Sequence, residues 1–194
     1  MHNLGVAETE IGELIDAETN LTRSIEIMRA GLKQDSKEVA ETICCLGDVM
    51  WRQFNCERAI QLYRESATIQ RKLFKGDSLN LAQTLCKLGF AYEIVKNYRT
   101  AIAFYNECLQ IRKSQLGENH HLVSTVLFNI GNVQKAQSEY ENAIESYKKS
   151  LKVRQATRIH NDVITIANTI SNIGSAHDAL GEKEEATLLV SHIF

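Results

Sequence analysis

The sequence predicts an all-α fold built as an array of antiparallel helix pairs. Three observations lead there. The 194 residues contain no proline and only 10 glycines, a profile that long helices tolerate and a loop-rich or all-β chain does not. Apolar residues recur with helical spacing. Glycine and alanine landmarks return at a fixed interval, the mark of a repeat architecture.

The interval is set by Gly47, Gly89 and Gly131, each 42 residues from the last, with Gly174 another 43 on. Ala59, Ala101, Ala143 and Ala186 keep the same steps. Leu46, Leu88, Ile130 and Ile173 precede the glycines, and Tyr63, Tyr105, Tyr147 and Val190 stand four residues after the alanines. The phase extends backwards to Gly5, Ala17 and Leu21. The expected organisation is a single array over 1–194. It comprises a partial first repeat (1–38), full repeats at 39–80, 81–122 and 123–165, and a truncated last repeat (166–194).

Each repeat reads as helix, tight turn, longer helix. Ile43, Leu46, Gly47 and Met50 form an i, i+3, i+4, i+7 stripe, as do Leu85, Leu88, Gly89 and Tyr92. The second stripe runs Ala59, Leu62, Tyr63, Ala67. The turns fall at Phe54–Glu57, Lys96–Arg99, Ser138–Glu141 and Gly181–Glu184. Gly76 and Gly117 stand where a helix C-terminal glycine belongs, and Asp35, Asp77 and Asn119 are expected N-caps. Arg29, Arg71, Arg112 and Arg154 lie near the ends of second helices, where cations suit the dipole.

A glycine on the first helix and an alanine on the second are the small residues that let two antiparallel helices approach closely. Tyrosine one turn later fills the space beside them. Leucine-glycine-x-x-tyrosine at Leu88, Gly89 and Tyr92, followed by Ala101 and Tyr105, resembles the tetratricopeptide repeat. HEAT and armadillo repeats share the length but not this pattern. The 42-residue unit is longer than the usual 34, and "LGENHHLVSTVLFNIGNV" is similar to the kinesin light chain type, with His120, Val123, Leu127 and Asn129 matching. His121 stands where that type has proline, and Ser78 and Leu79 replace the signature in another repeat. The resemblance implies a right-handed superhelical solenoid of antiparallel helix pairs whose first helices line a concave groove.

Carried over, the groove positions are Glu41, Cys45, Asp48 and Arg52, then Gln83, Lys87, Phe90 and Ile94. The third repeat supplies Thr125, Asn129, Asn132 and Lys135, and the last Asn168, Asn172, Ser175 and Asp178. Asn129 and Asn172 occupy the place of the family's groove asparagine, whose carboxamide can pair with an extended peptide backbone. Cys45 and Lys87 fill that place elsewhere, so no asparagine ladder runs the whole length. The expected peptide-binding set is Asp48, Arg52, Lys87, Phe90, Asn129, Asn132, Lys135 and Asn172. The cationic clamp with which some relatives grip a C-terminal carboxylate is absent, since Cys44, Asp48, Lys87, Thr125 and Asn129 stand in its places. Phe90 and Phe128 lie off the stripe and either present aromatic surface or pack on the next repeat. Trp51 stands either at the groove edge or away from it.

These features predict a non-catalytic scaffold for a protein or peptide ligand. The alternatives are a cargo-adaptor module of kinesin light chain type and a structural array self-associating through its ends. A net charge of −2 and a pI near 6.3 argue against nucleic acid or anionic membrane as partner. The first 20 residues are acidic, unlike a secretory or transit signal. Five cysteines without a C-x-x-C pair read as reduced, helix-packing thiols of a cytoplasmic protein. Cys44 and Cys45 have no histidine nearby on the C-terminal side before His120, and His120-His121 alone falls short of a metal ligand set. No enzyme activity, metal or cofactor is expected. Neither end carries a polar capping element: Leu4 at one end and Leu188, Leu189, Val190, Ile193 and Phe194 at the other favour a fragment or truncated array. No heptad segment of the kind that joins a kinesin light chain to its motor is present.

Overall fold

The computed structural model describes residues 2–31, 35–74, 78–157 and 163–182, with side chains from residue 12 onward. Among these residues there are eight α-helices and no strand. Gly76, Asp77, Ala186, Leu188, Leu189, Val190, Ile193 and Phe194, and the side chain of Leu4, lie outside the description. The chain divides into two compact units, Met1–Val95 and Lys96–Phe194.

The first unit holds α1 (His2–Gly31), α2 (Lys37–Arg52), α3 (Cys56–Phe74) and α4 (Leu79–Ile94). The backward phase implies a turn one period before Phe54, yet α1 runs through Gly12 as one helix. Nothing lies within 4 Å of a Cβ placed there. Helix α2 packs against both α1 and α3, and α3 against α4. Ile43, Leu46, Met50, Ala59, Leu62, Tyr63 and Ala67 are all buried, as the two stripes predict. The Ser66 hydroxyl donates to the Ala40 carbonyl at 2.6 Å, pinning the register of α2 on α3.

The second unit holds α5 (Tyr98–Leu116), α6 (His121–Ala136), α7 (Tyr140–Thr157) and α8 (Val163–Leu180). Helix α6 packs on α5 and α7, and α7 on α8. Ala143, Ile144, Tyr147, Ile173 and Ala176 form a buried cluster, with Phe128, Tyr140 and Leu180 against it. Phe128 therefore belongs to the packing, its ring 5.6 Å from that of Tyr147. Ser150 repeats the pin, donating to the Ser124 carbonyl at 2.7 Å.

The repeat step survives in the helix bounds: Lys37, Leu79, His121 and Val163 open the first helices, each 42 residues after the last. The glycine's role is more specific than close helix approach. A Cβ on Gly47 would stand 2.6 Å from Cε1 of Tyr63, and one on Gly131 2.6 Å from Cε1 of Tyr147. The tyrosine ring lies on the glycine and does not merely fill space beside it. At Gly174 an added Cβ meets nothing within 4 Å among the described residues.

The caps fall one residue later than expected. Ser36 accepts from the Val39 amide, Ser78 from Leu81, and His120 Nδ1 from Leu122. The residue that caps must have an extended backbone and an acceptor reaching the first turn, and Ser36, Ser78 and His120 meet both conditions. Asp35 pairs with Lys72 at 3.1 Å instead. Gly117 closes α5 with φ +82°, as expected. Arg112 does more than favour a dipole: buried, it donates to the Leu122 carbonyl at 2.8 Å, tying α5 to the start of α6.

Turns inside the pairs are tighter than the sequence suggests. After α2, the Phe54 amide bonds the Trp51 carbonyl and the Asn55 amide the Met50 carbonyl, a Schellman closure. Ser138 and Glu139 after α6, and Gly181 and Glu182 after α8, repeat it. The residue in the left-handed region is Phe54 (φ 60°), Lys96 (φ 59°), Ser138 (φ 62°) and Gly181 (φ 83°), so only the last is glycine.

Candidate binding surface

The first helices α2 and α4 place the expected groove residues of the first unit together. Cys45, Arg52, Gln83, Phe90 and Ile94 are exposed, and Glu41, Asp48 and Lys87 half-buried. Their first link is a network. The Tyr63 hydroxyl donates to Asp48 Oδ1 at 2.8 Å, and Lys87 Nζ donates to Asp48 Oδ2 at 2.6 Å. Lys87 Nζ also lies 3.5 Å from Cys44 Sγ and 5.8 Å from the centre of the Tyr63 ring.

Burial opposes the Lys87 charge most strongly of any single influence, but the hydrogen bond and charge of Asp48, together with Cys44, outweigh it and raise the lysine pKa. Burial and then the Asp48 carboxylate push the Tyr63 phenol well up, so it remains a donor. Burial also raises the Cys44 thiol, against the opposing influence of Lys87. Cys44 is accordingly a neutral packing residue. Cys45 is exposed, against the expectation that the cysteines pack between helices; none of the five forms a disulfide.

Beside this network is an open recess of about 270 Å³ between α2 and α4. Glu41, Cys44 and Cys45 of α2 line one side, and Asn80, Gln83, Thr84 and Lys87 of α4 the other; Gln70 of α3 completes it. Asn80 Nδ2 donates to Glu41 Oε1 across it. Trp51 stacks against Phe90 with ring centres 5.4 Å apart and planes tilted 57°. The tryptophan also lines a second recess of about 760 Å³ with Leu14, Val49 and Phe54.

In the second unit the expected residues pair with one another or with the core. Asn132 Oδ1 accepts from the Tyr147 hydroxyl at 2.8 Å, and Asn172 Oδ1 from Lys135 Nζ at 3.0 Å. Asn129 is half-buried, Asn168, Ser175 and Asp178 exposed, and Thr125 donates to the His121 carbonyl. The sequence reading missed Gln70, which sits on a second helix, and the tyrosine bonds to Asp48 and Asn132. The signal for the latter was present as glycine followed by Asp or Asn, paired with a tyrosine on the second helix. Among the described residues no group of three or more His, Cys, Asp and Glu side chains could hold a metal ion. No helix among them is long and apolar enough to cross a membrane.

A family model described as tetratricopeptide repeat matches residues 1–72, 38–114 and 80–156. No curated protein sequence matches the chain. Solved structures do. BtubC (BKLC) from P. vanneervenii superposes with a TM-score of 0.88 at 19% identity, over 95% of this chain and 73% of that one. The kinesin light chain-like protein of Podosopora anserina, with nearly identical TPR-like repeats, gives 0.79 at 16% identity, over 99% and 90%. Aspartyl phosphate phosphatase F from Bacillus subtilis gives 0.68 at 19% identity, over 80% and 39%.

Proposed function

We propose that this chain, which belongs to the tetratricopeptide repeat family, is a non-catalytic scaffold holding a peptide or helix against its first helices. The all-α repeat fold is of a kind that generally mediates protein–protein interaction. The observation that carries the reading here is the open polar recess between α2 and α4, lined in part by exposed Gln83; exposed Phe90 stands on α4, and exposed Arg52 lines the second recess. Exposed arginine and aromatic side chains beside a recess are the usual anchors of a protein interface. In the second unit Asn129, Asn132, Lys135 and Asn172 supply donors and acceptors for a peptide backbone, once the Lys135–Asn172 bond yields to the ligand. Five cysteines joined by no disulfide suit a reducing compartment, the cytoplasm.

A peptide-library selection on the purified chain tests this, run beside Arg52→Ala/Phe90→Ala and Asn129→Ala/Asn172→Ala. Enriched peptides that lose affinity for either double variant are the expected result. Peptides that bind all three chains equally, or no enrichment by a folded sample, remove the first-helix face from the mechanism.

A second reading, a cargo-adaptor module, draws on the 42-residue unit and the likeness to kinesin light chain-type repeats. Capture of the selected peptide's parent protein on a motor complex would favour it. Mass that rises with protein concentration would instead favour an array that binds its own copies.

A further inference from the structure

Gln70 is 2% exposed, and its Oε1 has no hydrogen-bond partner among the described residues. A buried acceptor without a donor is costly, and native structures rarely keep one. This one belongs to a residue lining the recess between α2 and α4.

The lining is rich in acceptors, with the Gln83 amide offering both donors and an acceptor. Glu41 brings a carboxylate, Asn80 an amide oxygen, Cys44 and Cys45 their sulfurs. Asn80 already uses its NH2 on Glu41, and the Thr84 hydroxyl is directed to the Asn80 carbonyl and Cys44 Sγ. Lys87, the cation of this wall, is engaged by Asp48 at 2.6 Å. Its charge is thereby matched and does not exclude a second cation.

We propose that this recess receives a basic side chain of the bound polypeptide, arginine in particular, with its N–H groups donated to Gln70 Oε1 and the Glu41 carboxylate. This rests on the reading of the first-helix face as the binding surface. A guanidinium carries five donors and no acceptor, which complements a wall of acceptors. A ligand carboxylate would meet the Glu41 carboxylate and Gln70 Oε1, which repel it. Gln70 reaches the ligand by rotation of its terminal amide, a soft torsion.

The test is a titration of the full chain with acetyl-arginine N-methylamide, followed by NMR of the Gln70 and Asn80 side-chain amides. The glutamine and norleucine counterparts serve as comparison. Saturable shifts with arginine are expected, with glutamine weaker by about tenfold and norleucine inert. Gln70→Leu and Glu41→Gln should each weaken the arginine response by about tenfold while leaving the helical circular dichroism unchanged. Absence of saturable shifts with arginine, a preference for glutamine, or an arginine response that survives both substitutions overturns the proposal. Each of those outcomes leaves the scaffold reading standing, because the peptide selection tests it separately. Arginine capture by a chain that enriches no peptide would support the recess and remove the groove.

Discussion

Gly47 and Gly131 carry the same tyrosine seat, and the two seats differ in charge. In both, a ring lies where a Cβ would stand, and its hydroxyl donates at 2.8 Å to the residue after the glycine. In the first unit that residue is Asp48, which draws in Lys87 at 2.6 Å. In the second it is Asn132, and the nearby lysine, Lys135, turns to Asn172. The steric part is what the repeat requires. The polar residue above it is free to change sign, and that choice sets the charge of the exposed surface beside the seat.

The largest expected effect strikes both seats alike. Gly47→Leu and Gly131→Leu should each cost about 3 kcal/mol or more, because the ring must leave its seat in a packed interface. Thermal melts check this, and a double change of Gly131→Ala with Tyr147→Leu should cost less than the sum of its parts. Gly174→Ala is the contrast: with nothing within 4 Å among the described residues, it should be neutral or stabilising by up to about 1 kcal/mol. Equal losses at all three glycines would show that the ring is not the reason for the residue.

A second contrast separates the units by pH. Burial, then the charges of His121 and Arg112, hold the His120 pKa below its usual 6.5, and the neutral ring caps α6 through Nδ1. The folded value is the lower one, so the unfolded chain binds the proton more readily. The contribution is complete above pH 6.5 and is lost as pH falls through that value towards the folded pKa. Ser36 and Ser78, which cap α2 and α4, do not titrate. His120→Asn should keep the cap and flatten this part of the profile, while His120→Ala should cost about 1 kcal/mol at neutral pH. Urea melts across pH 5 to 8 read both.

Smaller effects sharpen the difference in charge. Asp48→Asn makes the first seat resemble the second. It should cost no more than about 1 kcal/mol, since the Lys87 pair is partly exposed and screened, and the salt dependence of stability should shrink. Asn132→Asp places a carboxylate in the second seat and should change salt dependence less, because Lys135 is committed to Asn172. Smallest is the turn: Phe54→Gly should stabilise by about 0.5 kcal/mol, as glycine accepts φ 60° without strain.

The repeat phase and the helix pairs were legible because glycine, alanine and tyrosine return at positions where sterics leave little choice. Ala59, Ala101 and Ala143 are wholly buried, as their spacing predicts. The caps at Ser36 and His120 were misplaced by one residue because several adjacent polar residues can cap, and only backbone geometry selects among them. The left-handed turn was hidden because Phe54, Lys96 and Ser138 occupy a site that composition alone would give to glycine. At the candidate surface, sequence spacing placed Asp48 and Lys87 on the first helices. It could not place Gln70, which enters the recess from α3.

The buried serines that join each pair also govern how it bears load. Ser66 grips a carbonyl of α2 and Ser150 a carbonyl of α6, both shielded from solvent. A helix held this way resists creeping along its neighbour, since sliding breaks a shielded bond before a new acceptor comes within reach. Under tension, such a pair keeps its full length until it fails. It is a brittle link rather than an elastic one.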